Sequence, residues 1–101
     1  YIRTNSRLKR VKYEEICYVE ALRDYITINT ITENYTVRIN MKEIQKYLPE
    51  RDFVRIHKSF IVRMDKIFSI KYTSLIVEPS MKDLPVGNFY RKDLYSRLNM
   101  L

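Results

Sequence analysis

The side chains in this sequence that could do chemistry are scarce where catalysis needs them and abundant where anion binding needs them. Cys17 is the only thiol and His57 the only imidazole. A nucleophilic thiol needs a nearby base or positive charge to lower its pKa. Cys17 stands instead in an apolar, alternating run, where cysteine behaves as a small hydrophobe. His57 has no second histidine with which to hold a metal, and the Asp and Glu residues lack ligand spacing. A single glycine, Gly87, excludes a glycine-rich phosphate loop. No catalytic residue, metal or cofactor is expected, and the chain does not read as an enzyme.

The cations point elsewhere. Nineteen Lys and Arg face twelve Asp and Glu, a formal net charge of +7. That balance favours polyanionic partners, nucleic acid before an acidic membrane surface. The positive residues gather near turns. Arg23 and Asp24 precede a strand that opens at Tyr25. Arg55-Ile56-His57-Lys58-Ser59 places two cations, an imidazole and a hydroxyl at a strand end. Gly87-Asn88-Phe89-Tyr90-Arg91-Lys92 joins a turn to a helix start, where free backbone N–H groups favour phosphate. Asn88, Arg91 and Lys92 share one helical face, and Asn and Arg are side chains that read base edges bidentately. Of the nine tyrosines, Tyr25 and Tyr95 are the candidates for contact; the others read as core or sheet cover.

Positioning these clusters requires strands. Early strands surround Leu8 and Val11. Cys17 and Val19 fall on one face of the next strand, with Tyr18 and Glu20 opposite. Ile26 and Ile28 alternate with Tyr25, Thr27 and Asn29. Tyr35, Val37 and Ile39 alternate with Thr36 and Arg38, after a turn at Thr32-Glu33-Asn34. β-Branched and aromatic residues dominate these runs. Asn40, with Glu43 three residues on, caps a helix over 41–48 whose Met41, Ile44 and Leu48 share a face, and Pro49 stops it. Strand character returns at 53–56, a compact Ser59-Phe60-Ile61-Val62 segment follows, and strands resume near 67–72 and 74–78. Met81-Lys82-Asp83 reads as a hairpin tip before a brief strand at Leu84-Pro85-Val86. In the C-terminal helix Tyr90, Leu94 and Leu98 should face the sheet, with Arg91, Lys92 and Tyr95 facing away. The fold class is mainly β, with one short internal helix and one C-terminal helix.

With 101 residues the chain is expected to form a single domain over 1–101 with one modest core. One cysteine fits a reducing cytoplasm, and no run approaches the roughly 18 apolar residues of a membrane span. The sequence opens on Tyr1 rather than Met, and is read as the C-terminal part of a longer protein.

At this point the residues resemble the LytTR DNA-binding domains of bacterial response regulators. The resemblance runs through Val11–Ala21, Asp24–Ile28, Phe53–Val62 with Asp65-Lys66-Ile67, and Leu84–Gly87 followed by Tyr90, Arg91 and Lys92. It implies small antiparallel sheets and DNA docking without a recognition helix. Loops would enter successive major grooves while a strand end lies over the minor groove. Carried onto this sequence, Arg23, Asp24 and Tyr25 form the first loop, His57, Lys58 and Ser59 the minor-groove element, and Asn88 through Lys92 the last loop. The chain departs from the family at Gly87-Asn88, where Ser-Arg is frequent, and at Arg63, where Asn is frequent. Arg63 is expected to add a phosphate contact or to be solvated, and Glu20 is expected to pair with Arg55. The resemblance further implies double-stranded DNA with paired repeat half-sites and a homodimer on DNA. It also implies an upstream receiver domain served by a cognate histidine kinase. The alternative is a module that meets polyanions, a membrane surface or a protein partner through charge alone; RNA is a third option.

Overall fold

The alternating pattern folds, in a computed structural model that describes residues 1–101, into ten strands and two helices. The centre is a five-stranded antiparallel sheet in the order β5-β4-β3-β7-β6. Its strands are β3 (Ile16–Ala21), β4 (Ile26–Thr30), β5 (Asn34–Val37), β6 (Phe53–His57) and β7 (Phe60–Arg63). A two-stranded ribbon of β1 (Ile2–Arg3) and β2 (Leu8–Lys9) precedes it, and helix α1 (Met41–Tyr47) links β5 to β6. A second sheet follows, ordered β10-β9-β8, from β8 (Ile67–Ile70), β9 (Ser74–Val77) and β10 (Lys82–Pro85). Helix α2 (Asn88–Ser96) closes the chain. The mainly β expectation holds, with its two helices in place. No helix is long and apolar enough to cross a membrane.

The central sheet carries apolar residues on both faces, so it supports two cores rather than the one expected. On one face Val19, Ile26, Ile28 and Ile61 pack beneath Met41, Ile44 and Leu48 of the α1 segment. On the other, Val54, Ile56 and Val62 meet Leu75, Val77 and Leu84 of the second sheet and Leu94 of α2. Leu94 and Leu84 are fully buried. Each such side chain contributes roughly 1.5–3 kcal/mol. α2 also lies along β6, covering an edge strand that would otherwise offer unpaired backbone. Arg97 fastens it there by donating to the carbonyl oxygens of Glu50 and Phe53.

Several local readings change. A bulge between Ile16 and Tyr18 adds one residue to β3 against β4 and shifts the alternation. Cys17 consequently joins Tyr18 in the second core, while Val19 joins Ile16 in the first; Cys17 and Val19 do not share a cluster. The hairpin tip lies at 78–81 rather than 81–83, because Lys82 and Asp83 already pair with Val77 and Ile76. Met81 takes the left-handed value (φ 60°) in that turn. Tyr95 does not face away; it packs, half-buried, against the second core. α1 matches its reading closely: Asn40 Oδ1 accepts from the Glu43 N–H (2.8 Å), and Leu48 ends the helix before Pro49.

Candidate nucleic-acid interface

Antiparallel pairing fixes which turns become neighbours. β3 ends at Ala21 beside the start of β7, so the 22–25 turn and the 58–59 turn emerge at the same end of the sheet. The Ala21 N–H donates to the Ser59 carbonyl at 2.8 Å and sews these turns together. On the other side of the 58–59 turn, the Gly87 N–H donates to the Ile56 carbonyl at 2.8 Å, bringing the start of α2 alongside. Three segments far apart in sequence therefore stand in one row, 22–25, 57–59 and 87–92. All three were singled out by their residues, and the structure brings them together.

Within the row the side chains play different parts. Arg23, Asp24 and Lys58 are exposed and make no ion pair. Tyr25 is partly exposed, with the Arg38 guanidinium 5.7 Å from its ring centroid. His57 Nδ1 accepts from the Ser59 N–H (3.1 Å), so this nitrogen carries no proton in that bond and Nε2 is left as the donor. Arg55, expected to pair with Glu20, does something else. Its Nε donates to the His57 carbonyl (3.1 Å), Nη2 to the Lys58 carbonyl (2.6 Å) and Nη1 to Gln45 Oε1 (3.2 Å). The pair fails because the two side chains belong to opposite faces. Arg55 is opposite Ile61 of the first core, whereas Glu20 is opposite Phe60, which packs on the second.

The start of α2 is tied down from within. Arg91 Nε donates to the Tyr72 carbonyl (2.8 Å), Nη2 to the Val86 carbonyl (3.3 Å), and Nη1 to Asn88 Oδ1. Its guanidinium lies 4.1 Å from the Tyr72 ring centroid. Arg91 therefore spends its donors organising the turn, and Asn88 is left with its Nδ2 to offer. Lys92 and Phe89 are exposed, Phe89 at 88%. Gly87 is the N-cap with an ordinary extended φ and supplies no side-chain cap. A Cβ there would sit 3.3 Å from the Tyr90 ring, which crowds the frequent family residue Ser. The first N–H groups of α2 keep no side-chain partner and face whatever lies before them.

Arg63 stands apart from the row. It pairs with Phe53 at the far end of the β6–β7 hairpin and is 9% exposed. Its Nε meets Asp65 Oδ1 (2.9 Å), its Nη1 donates to the Tyr13 carbonyl (3.3 Å), and it lies over the Phe53 ring. It is a buried tie between strand and 3-10 turn, neither solvated nor free for phosphate. The sequence reading also missed Lys71 and Tyr72, in the β8–β9 turn. Arg91, and a bond from the Val86 N–H to the Thr73 carbonyl (2.9 Å), bring that turn beside the row. Nothing local marked them, since their relevance comes only through Arg91. Tyr72 is 70% exposed.

No three His, Cys, Asp or Glu side chains converge as metal ligands. Burial, more than nearby charge, pushes the Cys17 thiol upward, the direction opposite to that of an activated nucleophile.

The LytTr DNA-binding domain model matches residues 6–99. The chain is 31% identical over 96 residues to the sensory transduction protein LytT of Bacillus subtilis, covering 89% of this chain and 39% of that protein. It is 26% identical over 94 residues to the sensory transduction protein LytR of Streptococcus agalactiae. It thus spans about four-tenths of the length of the curated relatives it matches. Among solved structures it is similar to the LytTr DNA-binding domain of a methyl-accepting/DNA response regulator from Bacillus cereus. The TM-score is 0.82 at 22% identity, over 98% of this chain and 94% of that one, a likeness of fold.

Proposed function

Since this chain belongs to the LytTr DNA-binding domain family, we propose that it reads duplex DNA through the row of turns 22–25, 57–59 and 87–92. The observation that carries this reading is the pair of backbone hydrogen bonds, Ala21 to Ser59 and Gly87 to Ile56, that makes one surface of three basic segments. Arg23, Asp24 and Tyr25 form one outer element. Asn88 and Lys92, organised by Arg91, form the other. His57, Lys58 and Ser59 form the centre, over the minor groove, while the outer elements enter the flanking major grooves. The molecule measures 47 Å in its longest dimension, more than one helical repeat. B-DNA repeats in roughly 34 Å.

The chemistry divides along familiar lines. Lys58, Lys92 and Arg23 supply phosphate affinity by releasing condensed counterions. The Asn88 amide supplies a donor for a base edge, and the His57 Nε2–H another. In the whole protein the domain is the output module of a two-component transcription regulator. It acts as a homodimer on repeated half-sites, under a receiver domain served by a histidine kinase.

Selection from a random duplex library at roughly physiological salt tests the reading, because that salt suppresses purely electrostatic binding. Two similar half-sites about one helical turn apart are expected. Recovery of no motif, with binding that vanishes as salt rises, would overturn it in favour of a charge-only module.

A further inference from the structure

We infer that Arg55 is the positioning residue of this interface, a fork that sets the His57–Ser59 turn against the start of α2 without itself touching DNA. The inference rests on the DNA-reading assignment above and adds a residue that the assignment does not use.

The β6–β7 connection is a two-residue loop, Lys58-Ser59, between the paired residues His57 and Phe60. Tight hairpins of this length ordinarily use mirror-image turns with positive φ, whose twist matches the strands. Here neither Lys58 nor Ser59 has positive φ, and a register shift between Arg55 and His57 disturbs the ladder just before the loop. The hairpin's own geometry therefore leaves the loop under-determined, and groups outside the ladder must hold it.

Arg55 is the largest of those groups. Two of its donors take the successive carbonyls of His57 and Lys58, from behind the loop, at 3.1 and 2.6 Å. A third reaches Gln45 on α1, and the guanidinium lies 5.7 Å from the Tyr90 ring centroid on α2. One half-buried side chain thus links the central turn to both helices. It pairs with no carboxylate. With both carbonyls held by the guanidinium, the Lys58 side chain remains exposed. Lys cannot reproduce this arrangement, because an ammonium lacks the planar fork that holds two acceptors in fixed geometry.

The test compares the 101-residue chain with R55K and R55M on the selected duplex, over a range of salt, with amide exchange and thermal unfolding of each variant. A positioning role predicts that R55K keeps the charge yet loses about tenfold in affinity, the size of one charge-assisted hydrogen bond. It predicts an unchanged salt slope in R55K, and faster amide exchange at Ser59 and Gly87. If R55K restores wild-type affinity while R55M lowers the salt slope by about one, Arg55 is a phosphate contact and the inference fails. If both variants unfold earlier but bind as wild type when folded, Arg55 is a stability residue only, and the inference fails again. Should library selection return no motif, the DNA reading falls while the exchange measurement still decides: unchanged rates at Ser59 and Gly87 would sink the positioning role, and faster rates would sustain it.

Discussion

Arginines that look alike in the sequence do different work, and the difference lies in where each guanidinium finds acceptors. Arg63 is enclosed by Asp65, the Tyr13 carbonyl and the Phe53 ring, whereas Lys58 and Lys92 project into solvent beside one another's turns. Lys58→Ala and Lys92→Ala should each reduce the salt slope of DNA binding by about one and weaken all duplexes alike. Arg63→Met should leave that slope unchanged and instead lower folding stability by about 1–3 kcal/mol, as loss of a charge-assisted hydrogen bond does. Titration against salt and urea unfolding separate the two cases. Tyr35 gives a second check. Its hydroxyl donates to Glu33 Oε1 (2.6 Å), and that bond, ahead of desolvation and charge, pushes its pKa up to about 12. The folded value lies above the roughly 10 of an unfolded tyrosine. Any stability the bond contributes is therefore complete below pH ~10 and lost as pH rises towards 12. NMR of labelled tyrosine rings should show Tyr35 titrating late, as buried Tyr18 also does through desolvation, and Glu33→Gln should bring Tyr35 alone down towards 10.

At the scale of elements, the legible pieces are those whose signals are local. α1 is written in Asn40, Glu43, the Met41-Ile44-Leu48 spacing and Pro49, and each does what its type dictates. Asn40→Ala removes the acceptor for the Glu43 N–H and should cost about 1 kcal/mol. That corresponds to a fall of roughly 4–8 °C in Tm for a domain of this size. Because Asn40 and the 22–25 turn line the same cavity of about 460 Å³, amide shifts should spread to Arg23–Tyr25 in this variant. The illegible pieces are set by pairing. The bulge in β3 reverses the facing of Cys17, and no residue in Ile16-Cys17-Tyr18 announces it. Likewise Asp83 suggested a turn, but opposite Ile76 it is a strand residue.

Over the whole molecule, one sheet with two apolar faces takes α1 on one side and the second sheet with α2 on the other, and gathers the turns at its end. The charge is not all at that end. Arg3 and the Thr4–Arg7 tip of the β1–β2 ribbon lie by Asn34–Thr36, whereas it is Val37 that pairs with Ile26 next to the 22–25 turn. Charges beyond a Debye length of roughly 8 Å are largely screened at physiological salt. The double reversal Arg3→Glu/Arg7→Glu should therefore change specific affinity by no more than about threefold at roughly 0.15 M salt, and more at low salt. The pair Lys58→Ala/Lys92→Ala should lose well over tenfold under the same conditions. Fluorescence anisotropy on one duplex measures both. Equal losses would mean that net charge, rather than the row, governs binding.

The sequence by itself determined the mainly β class, the capped α1, the two-helix count and the three basic segments, because periodicity, caps and residue types act over a few neighbours. It pointed to the family through motifs of the same short range. Tertiary structure alone decided that Arg63 is buried, that Arg55 holds the His57–Ser59 turn rather than Glu20, that Tyr95 faces inward, and that Arg91 and Tyr72 lock the start of α2. These are contacts across strand register and between layers. A bulge of one residue changes which side chains meet, and a guanidinium takes whichever carbonyls the packed backbone presents.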